Sequence, residues 1–101
     1  MMEDLTPQLA SFFGAREGYG ILIRSVDKGM PAEKSGLKAG DVVVRADKEP
    51  VRESGDLYRV LRAKRGSTVI LNIIRDKRDM NISVLVPERR IGKARDRKSV
   101  V

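Results

Sequence analysis

Gly36-Leu37-Lys38-Ala39-Gly40-Asp41-Val42-Val43-Val44 is the stretch that decides the fold. Before it, Pro31 to Ser35 predicts a single helical turn, with Pro at a first helical position and Gly36 as its stop. Gly40-Asp41 predicts a turn, and the three valines that follow predict a strand. Such close spacing of helical turn, reversal and strand points to a small β-rich domain with brief elements.

The same reading extends upstream. Tyr19 to Val26 predicts a strand, with Ile21, Leu22 and Ile23 nearly continuous and Gly18 and Gly20 at its entrance. Leu5 to Gly14 predicts a short helix in which Thr6 caps, Pro7 opens and Gly14 stops. Leu9, Phe12 and Phe13 then share one face, expected to pack into the core. Downstream, Asp47-Lys48-Glu49-Pro50 reverses the chain toward Val51. Ser54 is the expected N-cap of a helix carrying Leu57, Tyr58, Val60 and Leu61 and ending before Gly66. Val69, Leu71 and Ile73 alternate along one strand, and Met80, Ile82, Val84 and Val86 along the next. Asp76-Lys77-Arg78-Asp79 makes the hairpin turn between them.

The sum is a mainly β fold, a β-rich α+β domain. Its five to six mostly antiparallel strands are too short to bury both faces of a sheet alone. A half-open antiparallel β-barrel capped by two helices is the expected closure. Residues 5–87 form the domain, residues 1–4 read as a flexible start, and residues 88–101 as a basic flexible tail.

Composition prunes the chemistry. The chain has 101 residues, with no Cys and no His. That removes disulfides, thiolate nucleophiles, Cys-based metal sites, imidazole acid–base chemistry and the triads built on His. No catalytic arrangement, metal site or cofactor motif is legible, so a non-catalytic binding domain is expected. No apolar run approaches the roughly 20 residues of a membrane span. The doubled Met1-Met2 start points to a piece of a longer chain, which would hide any targeting segment. The net charge is +7, but residues 88–101 hold six basic against two acidic side chains. Most of the excess therefore sits in the tail: either a solvated segment or, as the alternative function, an arm for nucleic acid or an anionic membrane surface.

Several segments together resemble a known family. Gly18-Tyr19-Gly20-Ile21 is similar to the Gly-Φ-Gly-Φ carboxylate-binding loop of PDZ domains. Gly36 to Val43 resembles their G-L-x-x-G-D-x-Φ segment, and Gly66-Ser67-Thr68-Val69 their G-x-x-V. Leu5 to Ala10 is similar to the segment before PDZ domains in bacterial HtrA-type proteases and related envelope proteins. The resemblance covers residues 5–87. It implies a module that binds C-terminal carboxylates or exposed strands of partner polypeptides, recruiting or sensing them for a larger bacterial protein. It also implies a cell-envelope or periplasmic location.

The resemblance implies a site as well. The amides of Tyr19, Gly20 and Ile21 would converge on a carboxylate, the glycines permitting the sharp path. Leu22 to Arg24, including Ile23, would keep an unpaired edge for the ligand strand. Ser54, Tyr58 and Leu61 would form the helical wall, with Ile21, Ile23 and Leu61 lining an aliphatic pocket. Arg16 would support the carboxylate electrostatically.

The chain ends Ser99-Val100-Val101, which resembles the S-x-Φ carboxylate-terminated ligands of such domains. Entry of this tail into a neighbouring copy would give self-association; a tail without that role is the other reading. Sedimentation at high concentration separates them. Self-association predicts a larger species for the whole chain than for one ending at Arg97, whereas equal sizes would remove the tail as a ligand.

Overall fold

The computed structural model describes residues 1–87, so the tail and its Ser99-Val100-Val101 end lie outside the described residues. Six strands and three helices follow in the order β1 (Met2–Asp4), α1 (Pro7–Phe12), β2 (Ile21–Ile23), α2 (Pro31–Lys34), β3 (Val42–Ala46), β4 (Glu49–Pro50), α3 (Ser54–Ala63), β5 (Thr68–Arg75) and β6 (Arg78–Leu85). The strands form one antiparallel sheet in the order β1-β2-β3-β5-β6, with β4 paired to β3. The sheet does not close, in agreement with the half-open architecture. Residues 2–4, expected to be a flexible start, instead form its first strand.

Strand alternation divides the core in two. Ile21, Ile23, Val43, Val69, Leu71 and Ile73 join Leu57, Val60 and Leu61 of α3 in the larger cluster. Leu5, Ala10, Ala15, Val42 and Ile74 form a smaller cluster with α1, against which Leu22, Val44 and Phe13 pack. Each large aliphatic side chain buried in this way contributes about 1.5–3 kcal/mol. Ala10 is the buried residue of α1 and packs in the smaller cluster. Leu9 and Phe12 turn outward, contrary to the expected packing; Phe12 is 67% exposed and meets Phe13 edge-on at 5.3 Å.

The capping of α1 follows the sequence: Thr6 Oγ1 accepts from Leu9 N and Pro7 opens the helix. The start of α3 differs. Glu53 occupies the cap position without a side-chain bond, and Ser54 is the first helical residue. The cap comes from elsewhere: Asp4 Oδ1 accepts from Ser54 N at 3.0 Å, while Asp56 Oδ2 accepts from Arg52 N, just before the helix, at 3.0 Å. That bond from Arg52 N, ahead of Arg59's hydrogen bond and charge, holds the Asp56 carboxyl below its ordinary pKa.

The Gly36–Asp41 loop is fastened by a buried ion pair. Asp41 is 1% exposed, and its carboxylate takes Arg75 Nε and an Arg75 terminal nitrogen at 2.7 Å each, plus Lys38 N at 2.8 Å. The guanidinium also donates to Gly36 O at 2.8 Å. From this anchor Asp41 O receives Ile23 N, and Ile23 O receives Gly40 N, extending the β2–β3 ladder.

Both Asp-Lys reversals adopt positive φ at two non-glycine residues, 50° and 71° at Asp47 and Lys48, 53° and 64° at Asp76 and Lys77. These are the torsions of a two-residue type I′ hairpin turn, which favours Asp-Gly. Asp47 compensates by accepting from Ile70 N at 2.9 Å.

Substitution tests both the anchor and the turn. Arg75→Met strands a buried carboxylate and should lower the unfolding free energy by about 3 kcal/mol in urea melts; a loss below about 1 kcal/mol would show the pair to be dispensable. Lys48→Gly relieves the left-handed strain and should raise stability by about 0.5–1 kcal/mol, read as a shifted urea midpoint at constant slope.

Candidate peptide groove

A strand-adding site needs a sheet edge with outward N–H and C=O groups and a second wall beside it. The sequence assigns that edge to Leu22–Arg24, and here the structure corrects it. β1 lies along β2 in the register Met2↔Ile23, Glu3↔Leu22 and Asp4↔Ile21, while β3 takes the other side of β2. Arg24 N donates to Met1 O, and its guanidinium to Glu3 Oε1. The edge expected to be open is therefore occupied. Sequence reasoning missed β1 because three residues are too few to display an alternation.

The edge that adjoins α3 belongs to β1. Met1 O accepts from Arg24 N at 2.9 Å and Leu5 N donates to Gly20 O at 3.1 Å, so odd-numbered residues here address β2. Antiparallel alternation then turns the N–H and C=O of Met2 and Asp4 to the outside. Across from this edge stands α3, joined to β1 by the Asp4–Ser54 bond. Met2 packs against the larger core cluster below, so the strand and the helix share a floor.

On α3, Ser54 is half-buried beside Asp4 and Tyr58 is 41% exposed one turn later. Leu61 is buried with Leu57 and Val60. Ile21 and Ile23 are fully buried beneath the helix, so in this structure they and Leu61 are floor rather than open pocket.

The Gly18–Ile21 turn lies one strand further in. Gly18, at φ 82°, donates its N–H to Ala15 O. A Cβ on Gly20 would stand 2.6 Å from Val42 Cγ1, so the missing side chain lets β2 approach β3. Tyr19 donates its hydroxyl to Glu17 Oε1 at 2.9 Å, Arg45 holds the same carboxylate, and the Arg52 guanidinium lies 5.4 Å from the Tyr19 ring centre. Burial, and then the bond to Glu17, pushes the Tyr19 phenol above its ordinary pKa. Arg16 is not brought to this group: it is highly exposed, 3.8 Å from Asp79 at the β6 hairpin. Among the described residues, no cluster of three or more acidic side chains is placed to hold a metal ion, and no helix is long and apolar enough to cross a membrane.

Known proteins share this fold. The profile of a PDZ domain family matches residues 2–86. A probable periplasmic serine endoprotease, DegP-like, from Halomonas elongata is 37% identical over 87 residues, covering 85% of this chain and 18% of that protein. The serine protease Do-like HtrA of Bacillus subtilis is 33% identical over 79 residues, covering 76% of this chain and 18% of that protein. The chain thus spans less than a fifth of these relatives. Among solved structures, the HtrA-type protease AlgW with a decapeptide superposes with a TM-score of 0.70 at 29% identity, over 87% of this chain and 27% of that one. The PDZ domain of HtrA3, bound to a phage-derived ligand, shares the fold at a TM-score of 0.71 and 22% identity, over 84% of this chain and 79% of that one. On the family match across nearly all its described length, the chain belongs to the PDZ domain family, and it is similar to the PDZ modules of HtrA-type proteases.

Proposed function

We propose that the chain is a non-catalytic peptide-binding module that takes an extended segment of another polypeptide as an added strand on the outer edge of β1, with α3 as the facing wall. The observation that carries this reading is the outward N–H and C=O of Met2 and Asp4 on the strand that adjoins α3. Main-chain pairing supplies part of the affinity, and the side chains that fall toward α3 supply the rest together with the selectivity. Ser54 and Tyr58 line the wall. Leu61, Ile21 and Ile23 give the floor its aliphatic character, which favours Val, Leu or Ile in the ligand. On this reading Gly18–Ile21, with Leu22, Ile23 and Arg24, backs the docking strand.

The relatives include probable periplasmic serine endoproteases, and one solved neighbour holds a decapeptide. These support a role in recruiting or sensing polypeptides for a larger envelope protease. Exposed strands and chain ends would be the signals read. A few main-chain bonds and side-chain contacts along the floor correspond to micromolar binding, about −8 kcal/mol.

Fluorescence anisotropy with labelled octapeptides ending in Val, Leu or Ile tests the reading. Each peptide is offered as the free acid and as the amide. Docking on β1 predicts similar affinity for the two forms, because the Gly18–Ile21 amides lie behind that strand. Tyr58→Ala should weaken both about fivefold, in line with the roughly 1 kcal/mol expected on loss of a groove contact. A strong preference for acids, or amide-resonance shifts centred on residues 18–20, would return the ligand to the glycine turn. Absence of binding at millimolar peptide would remove the function.

A further inference from the structure

Half of the carboxylates among the described residues are paired with a cation, and the acid at the mouth of the groove is not one of them. Glu3, Glu17, Asp41, Asp47, Asp56 and Asp79 each have a Lys or Arg nitrogen within 4 Å. Asp4 has none among the described residues. One of its oxygens receives Ser54 N, and the carboxylate is exposed on the docking strand. Nearby α3 positions do not neutralise it: Glu53 and Asp56 are acidic, and the charge of Arg59 is engaged by Asp56 at 3.1 Å.

Strand geometry determines which ligand atom would meet this charge. Asp4 and Met2 project to the same face of β1, because side chains two apart share a face. That face is the α3 side, since Met2 packs on the core and Asp4 reaches Ser54. A ligand residue directly opposite Asp4 projects to the same face, with its Cβ about 4.5–5.5 Å away. Its side chain would lie beside the uncompensated carboxylate, along the start of α3.

We infer that Asp4 is a specificity residue: the groove prefers peptides carrying Lys or Arg at the position paired with Asp4, and rejects Asp or Glu there. This inference rests on the peptide-binding reading and adds the class of ligand to it. A facing opposite-charge pair strengthens strand pairing and a like-charge pair weakens it, and charge across an interface discriminates more than it tightens. The expected preference for Lys over Gln is about fivefold at low salt.

The test walks one substitution along a neutral, Gln-rich octapeptide ending in Val, replacing each position in turn by Lys and then by Glu. Affinities are measured with the whole chain. Lys should tighten binding at one position, and Glu at that same position should weaken it. The Lys-to-Gln ratio there should shrink toward one in about 1 M NaCl and collapse to about one in Asp4→Asn. Asn retains an acceptor for Ser54 N, and the salt series in the unaltered chain probes the same charge without any substitution. A Lys gain spread evenly along the peptide, or one that survives Asp4→Asn, overturns the inference while leaving the groove intact. Failure of the neutral peptide to bind at all overturns the groove reading itself.

Discussion

The Asp41–Arg75 pair holds the part of the molecule on which every other register depends. A carboxylate that is almost fully buried demands compensation, and this one receives two guanidinium bonds and a backbone N–H. The same guanidinium reaches Gly36 O, so a single side chain from the end of β5 closes both ends of the Gly36–Asp41 loop. Burying an ion pair is a weak source of net stability, whereas leaving one member unpaired is severe. The pair therefore acts chiefly as a constraint on position. It places the start of β3, and the two backbone bonds between Ile23 and the Gly40-Asp41 turn then place β2.

From β2 the constraint passes to the groove. The register of β2 sets that of β1, and a slip of one residue would turn Met2 away from the core and Asp4 away from α3. Asp4 then acts twice, as a residue of the edge strand and as acceptor for the first helical N–H of α3. The width of the groove at that end is thus set by one hydrogen bond between its two walls. The glycine at position 20 belongs to the same chain of dependence. Its φ carries no special demand; the close approach of Val42 requires it.

Much of this was legible in the sequence, and the parts that were not share a cause. The Gly36–Val44 segment, the α1 cap at Thr6 and the two alternating strands of the β5–β6 hairpin carry local signals several residues long. So do the family motifs, which is why the half-open architecture could be expected. β1 carries no such signal: Met-Glu-Asp lacks alternation and β-branched residues, and it is extended because β2 offers it an edge. That single omission hid the strand that forms the sheet edge beside α3. Glycines can serve other ends than admitting an anion, here a left-handed turn at Gly18 and the close approach of the Val42 side chain at Gly20, and residue identity alone does not separate them. Phe12 illustrates a further limit. A helix of six residues presents one small residue to the sheet, and the larger apolar groups around it are left outside.

An open sheet edge is a hazard as well as a site, since its unpaired groups can template aggregation. β1 limits that hazard by its length. Three residues offer outward groups at Met2 and Asp4 only, too little main-chain pairing to hold a partner without help from side chains. Selectivity must then come from the α3 wall and from the charges at its start. The other boundary of the sheet, β6, is eight residues long, and its far end is marked by Arg78 and Asp79. It contacts the four-residue α2, where β1 meets the ten-residue α3 with Tyr58 exposed upon it. The short edge thus has the longer wall, an arrangement suited to reversible and selective docking. On the reading proposed above, the exposed carboxylate of Asp4 at the start of that wall helps to distinguish one extended segment from another.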